Sequence, residues 1–192
     1  MLRSGPAGVH KIGIENKTKS IQNPYGINKQ HVYVSELNVI STTHATIPGQ
    51  KKKRSLANQF LIPQNAARSA ARLRPLVWDS KLAHYAQWYA NQRRNDCALE
   101  HSNGPYGENI FWGSGIGWKP AQAVSAWVEE RQWYNYWHNS CSYGQMCGHY
   151  TQIVWGTTTK VGCASVTCTG NKGMFMTCNY DPPGNYYGER PY

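Results

Sequence analysis

Two stretches decide the reading of this chain: Cys147-Gly148-His149-Tyr150-Thr151-Gln152-Ile153-Val154-Trp155 and Cys178-Asn179-Tyr180-Asp181-Pro182-Pro183-Gly184-Asn185-Tyr186. The first sets a lone His and a Gly against an apolar and aromatic run. The second ends a strand-like run on a Cys, then stops it with Pro-Pro-Gly-Asn, which continues neither a helix nor a central strand. Working outward, the composition divides the chain. All eight Trp, all three Phe, all six Cys and eleven of the thirteen Tyr lie after Ala57. The first 56 residues hold nine Lys or Arg against two acids, whereas residues 57–192 hold eleven against eight. The net charge of +10 therefore resides mostly in the leading segment. Overall basicity is then weak support for a nucleic-acid role, and no nucleic-acid partner is expected.

At 192 residues, one globular domain with a tail is the expectation: 1–56 as a disordered basic extension and 57–192 as the domain. Within the extension, His31-Val32-Tyr33-Val34 reads as a short strand, but the segment is too polar to hold a core. Its Lys51-Lys52-Lys53-Arg54 run reads as a solvated linker, with a nuclear signal or a processing site as alternatives. Asn16-Lys17-Thr18 is a glycosylation sequon that matters only if the chain enters the secretory path.

From Ala57 onward, periodicity takes over. Phe60, Leu61, Ala67, Ala70, Ala71 and Leu73 fit an amphipathic helix with Pro63 in its opening turns. Asp79 or Ser80 caps a second, with Leu82, Ala83, Ala86, Tyr89 and Ala90 on one face. Gly107 to Gly113 reads as a strand, and Pro120 opens a third helix faced by Ala123, Val124, Trp127 and Val128. A short helix around His149 precedes strands at Lys160–Thr167 and Gly173–Tyr180. Helices flanking an antiparallel sheet make the fold class α+β. No stretch reaches the ~18 apolar residues of a membrane span.

The six cysteines form no Cys-x-x-Cys pair, and His-Glu-x-x-His is absent. Zinc-finger and thioredoxin readings lose their spacing, and three disulfides in an oxidising compartment fit best, with connectivity open. Met1 to Gly8 and the residues after them lack the apolar run of a secretory leader. We read that start as a gene-model or splicing artefact, with delivery by an unusual route as the alternative.

The two opening stretches, in this order, resemble the signature motifs of the CAP superfamily (cysteine-rich secretory proteins, antigen 5 and pathogenesis-related proteins). The plant pathogenesis-related class 1 proteins look closest, over Ala57 to Tyr192. The resemblance implies a three-layer α-β-α sandwich, secretion to the extracellular space (apoplast), a monomer, and the pairing Cys97–Cys168, Cys141–Cys147, Cys163–Cys178. It also implies a cavity of two His and two Glu, matched here by His101, Glu108, Glu130 and His149. Two imidazoles and two carboxylates facing one space can hold a divalent ion, zinc above all. They can equally poise a water for acid–base chemistry, or satisfy one another as a buried polar network. No activated nucleophile is visible, since adjacency of His101 and Ser102 in sequence makes no triad. The chain is therefore read as a non-enzyme that requires no cofactor, with zinc optional. Family members often carry a His just before the Asn-Ala-Ala-Arg of the first helix, where this chain has Gln64.

Trp133-Tyr134-Asn135-Tyr136-Trp137 packs four aromatics into five residues. In sterol-binding relatives this region carries an aromatic-x-aromatic-x4-aromatic pattern. Tyr134 and Tyr136 match it, whereas Cys141 takes the last aromatic place. Trp133, Tyr134, Tyr136 and Trp137 are thus read as a sterol- or lipid-contacting loop, with ordinary core packing as the alternative. Trp112 and Trp118, in a Gly-rich loop, raise the same question. The last eleven residues, Pro182 to Tyr192, resemble a defence peptide that plant relatives release after the position of Asp181. Its prolines and glycines are expected to keep the Asp181–Pro182 bond extended and open to a processing protease. Three functions follow: a secreted defence protein that sequesters microbial sterol, a precursor of the peptide 182–192, or a metal-dependent hydrolase. The first is favoured and the last is the weakest.

Overall fold

The computed structural model describes residues 55–192. The expected disorder of 1–56, its strand, its sequon and its basic run therefore lie outside the described residues, except for Ser55 and Leu56. Those two belong to the first helix. Ser55 caps α1 (Leu56–Ala70), its hydroxyl accepting from the Asn58 N–H.

The first helix buries a face that hydrophobic periodicity did not find. Phe60, Gln64 and Arg68, spaced four apart, are its buried residues, whereas Ala70 is exposed. Leu61, Ala67, Ala71 and Leu73 pack partly buried at the margin of the core. Asp79 caps α2 (Ser80–Gln92) by accepting from the N–H groups of Lys81 at 2.8 Å and Leu82 at 3.1 Å. Of its expected face, Leu82, Ala86, Tyr89 and Ala90 are buried. Pro120 supplies the preset first turn of α3 (Pro120–Glu129), which buries Ala123, Val124 and Trp127. A short α4 (Gly148–Ile153) carries His149.

The sheet contains β2 (Gly107–Ser114), β5 (Lys160–Thr167) and β6 (Gly173–Asp181), joined antiparallel, with the two-residue β1 (Val77–Trp78) parallel to β5. Strand order is β1-β5-β6-β2. A second ribbon pairs β3 (Tyr134–Asn135) with β4 (Ser140–Cys141). Side chains alternate along the strands and so feed two cores. Met176, Cys178 and Tyr180 join Phe60 of α1, Val124 and Trp127 of α3, and Tyr150 and Ile153 of α4. On the opposite face, Phe175, Ala164, Val166 and Ile110 meet Ala86, Tyr89 and Ala90 of α2. The result is the three-layer α-β-α sandwich, with α2, among the described residues, the one helix on its side. Gly162 explains how closely α2 sits: a Cβ there would lie 2.1 Å from the Ala83 nitrogen.

Three disulfides, Cys97–Cys168, Cys141–Cys147 and Cys163–Cys178, carry the pairing that the resemblance implied. Cys163 and Cys178 are register partners on adjacent strands, where cross-strand Cβ atoms stand close enough to bridge. Among the described residues, no helix is long and apolar enough to cross a membrane.

Candidate functional site

Glu130 opens a short turn after α3 and is only 4% exposed. Its carboxylate reaches the start of α4, where first-turn N–H groups have no helical partner. One oxygen accepts from the His149 N–H at 2.9 Å and the Tyr150 N–H at 3.2 Å, and the other meets His149 Nδ1 at 2.6 Å. Trp127 stacks on the His149 ring with centroids 6.1 Å apart, and its indole N–H donates to the Ile110 carbonyl. The imidazole is thereby fixed in both position and tilt.

Glu108 and Asn109 are neighbours on β2 and point to opposite faces of the sheet. The Asn109 amide donates to the His149 carbonyl and the Tyr180 hydroxyl. Glu108 turns the other way, toward the residues that follow α2. It meets His101 Nδ1 at 2.9 Å and accepts from the Ser102 N–H at 2.8 Å and from Asn179 Nδ2 at 3.1 Å. Burial pushes the Glu108 carboxyl up, but the hydrogen bonds from His101, Ser102 and Asn179 together outweigh it and hold the group below the ordinary carboxylate range.

The four expected residues are all in place, but as two His–Glu pairs and not as one ligand cluster. Among the described residues, no group of three or more His, Cys, Asp or Glu is arranged to hold a metal ion. Each carboxylate already takes three hydrogen bonds or ring contacts, from its own His and from neighbouring N–H groups. With both Nδ1 atoms turned to carboxylates, an ion would find only the two ring Nε2 atoms, where structural zinc takes four ligands. No metal-dependent step is derived from this set. Ser102, next to His101 in sequence, has its hydroxyl oxygen held by the Tyr85 hydroxyl at 3.1 Å and the Gly104 N–H at 3.3 Å, not by an imidazole.

In the aromatic loop, Tyr136 and Trp137 meet edge-on with ring centroids 5.8 Å apart. Tyr134 packs against the core near Tyr150, with centroids 6.1 Å apart, and its hydroxyl donates to Asn139. Tyr136 stacks on Tyr192 at 5.0 Å. Trp133 at 37% and Trp137 at 80% exposure are left facing outward, on a ribbon pinned by Cys141–Cys147. Elsewhere, Trp118 packs edge-on against Phe111 of the core and stays half-buried.

At the expected cleavage bond, Asp181 is half-buried and Pro182 exposed, and both carbonyls are hydrogen-bonded. Asp181 ends β6 with its carbonyl accepting from the Thr159 N–H, and the Pro182 carbonyl accepts from the Thr158 hydroxyl at 2.8 Å. The Gly184 N–H donates to Gln152, and Asn185 exchanges hydrogen bonds with Thr151 and Gly148. Gly184 is required there, because a Cβ would lie 2.5 Å from the Trp155 ring.

Among the buried polar residues to which the sequence reading gave no role are Arg68 and Gln64. The Arg68 guanidinium, 1% exposed, donates to the carbonyls of Arg74, Ile153, Trp155 and Thr158 at 2.7 to 3.1 Å. It thereby holds the turn after α4. Gln64 accepts from the Tyr180 hydroxyl at 2.8 Å and lies against the Cys163–Cys178 sulfurs. Their only sequence signal is the four-residue spacing from Phe60, which polarity hides.

Against known proteins, the pattern of the cysteine-rich secretory protein family (CAP) matches residues 61–180. The Medicago truncatula pathogenesis-related protein PR-1 is 81% identical over 148 residues, which is 76% of this chain and 86% of that protein. The Zea mays pathogenesis-related protein PRMS is 57% identical over 134 residues, covering 69% of this chain and 80% of that one. Among solved structures, Na-ASP-1 superposes with a TM-score of 0.62 at 25% identity, over 78% of this chain and 46% of its own. NaASP2, solved with Zn2+, gives 0.61 at 25% identity, over 75% and 88%. The chain belongs to the cysteine-rich secretory protein (CAP) family, within its plant pathogenesis-related class 1 group.

Proposed function

We propose that this chain is an extracellular plant defence protein that binds an apolar microbial ligand of the sterol class by sequestration, without turnover. The observation that carries this reading is the outward pair Trp133 and Trp137 on a disulfide-pinned ribbon. Large rings held rigidly outside a core offer contact area at little ordering cost. The contact surface is therefore narrower than the four-residue loop, with the Tyr134 and Tyr136 faces taken up by Tyr150 and Tyr192. Three disulfides suit the oxidising extracellular space. Covering apolar sterol surface gains roughly 25 cal/mol per Å². Replacing both Trp133 and Trp137 with Ser should weaken binding of a fluorescent sterol at least about tenfold, or ~1.4 kcal/mol. Unchanged affinity in the folded double variant removes the ribbon from the site, and no binding by the wild type removes the function.

A second reading, the peptide precursor, draws on a separate observation. Both core clusters are complete by Tyr180, with no later residue in either. Mass spectrometry of the protein from infected tissue tests it: a chain ending at Asp181 supports the reading, and a uniformly intact C-terminus opposes it.

A further inference from the structure

The end of the chain is held by a set of contacts that the core does not need. Arg190 forks over the aromatic ribbon, donating to the Tyr136 carbonyl and, at 3.0 Å, to the Trp137 carbonyl. Its guanidinium carbon stands 5.5 Å from the centre of the Tyr136 ring. Tyr192 stacks on that ring at 5.0 Å and 21°, and its hydroxyl meets the Tyr150 hydroxyl at 3.3 Å. Pro191 is buried, and its carbonyl accepts from the Gly156 N–H at 2.6 Å. Asn139 Nδ2 donates to the Glu189 carbonyl at 2.9 Å. Between this anchor and the one at Gly184 and Asn185, Tyr187 is 91% exposed and Gly188 has a positive φ of 79°. The segment is thus fastened at two ends, with an exposed turn between them closed by the Glu189 N–H donating to the Tyr186 carbonyl.

We propose that Tyr136, Trp137, Asn139, Tyr150 and Gly156 form a peptide-binding site for a C-terminal Arg-Pro-Tyr segment, occupied here by the chain's own residues 190–192. The chemistry is selective at each position. Two carbonyls side by side suit the planar fork of Arg and not the point charge of Lys. A buried residue whose nitrogen needs no acceptor suits Pro, and a flat ring between Arg190 and Tyr192 suits a terminal aromatic. It follows that cutting the chain after Asp181 leaves residues 182–192 docked, so that release of the peptide is a second step. That corollary rests on the precursor reading, whereas the binding site does not.

The test uses the full-length protein without any cut. In an Arg190→Ala/Tyr192→Ala variant, the Gly156 amide, covered by Pro191 in the wild type, should exchange hydrogen at least about tenfold faster. A synthetic heptapeptide of residues 186–192 should restore its protection in that variant while leaving the wild type unchanged. An Arg190→Lys version of the peptide should restore it at least about tenfold less effectively. Unchanged Gly156 exchange in the variant, or no restoration by millimolar peptide, overturns the proposal. Equal restoration by the Lys peptide overturns its selectivity for Arg. If instead tissue protein is found uncut while these exchange results hold, only the precursor reading fails.

Discussion

At the scale of single residues, Arg68 illustrates a charge retained because its partners are fixed. Burial pushes its pKa down, yet an ordinary guanidinium value lies so far above neutrality that it stays charged. Removing it strands four carbonyls inside the fold. Arg68→Ala should cost more than about 3 kcal/mol in urea unfolding, and Arg68→Lys should recover only part of that, because one ammonium cannot span the same acceptors. Glu108 makes a pH prediction. Its folded pKa is depressed, so its contribution is complete above the unfolded value of about 4.3 and is lost as pH falls through the folded one. Melting temperature followed from pH 7 to pH 3 should drop more steeply below about pH 4.5 for the wild type than for Glu108→Gln. Parallel curves would mean that the carboxylate's hydrogen bonds are not felt in stability.

At the scale of elements, the disulfides are set apart by the loops they close. Cys97–Cys168 spans 71 residues and ties the end of α2 to the end of β5, whereas Cys141–Cys147 spans 6. In the chain-entropy account, closing those loops is worth about 4 and about 2 kcal/mol. Paired Cys→Ala variants should therefore lose stability in that order, measured by chemical denaturation of each purified protein. A larger loss from the short loop would place its effect in the folded ribbon instead. Most elements were legible because each carried its own signal. Asp79 capped α2, Pro120 opened α3, and the strands at Lys160–Thr167 and Gly173–Asp181 lay within a residue of their expected bounds. The two-residue strands β1, β3 and β4 were not legible, because segments so short have no periodicity and exist only where a partner strand supplies hydrogen bonds.

At the scale of the whole molecule, the C-terminal segment behaves as a strap over α4 and the aromatic ribbon. Its accessibility is uneven, and this bears on processing. The Asp181–Pro182 bond is held by Thr158 and Thr159, whereas Tyr187 stands 91% exposed. Proteolysis favours loose, exposed backbone. Brief treatment of the native protein with chymotrypsin should therefore cut beside Tyr187 well before any protease cuts at Asp181, as followed by mass spectrometry. Rapid native cutting at Asp181 would show that the end of β6 opens readily.

Local pattern and residue type in the sequence determined the α+β class, the helix caps and the paired-cysteine chemistry, whereas the three-layer sandwich and the His–Glu set were implied by the resemblance of its two motifs to a known family. Only the tertiary structure decided how those groups are spent. Adjacent positions on an edge strand face opposite ways, so Glu108 serves His101 on one side while Asn109 serves His149 on the other. Packing likewise set Tyr134 against Tyr150 and stacked Tyr136 on Tyr192. A side chain's type limits what it can bond, but which partner reaches it first is settled by the fold around it.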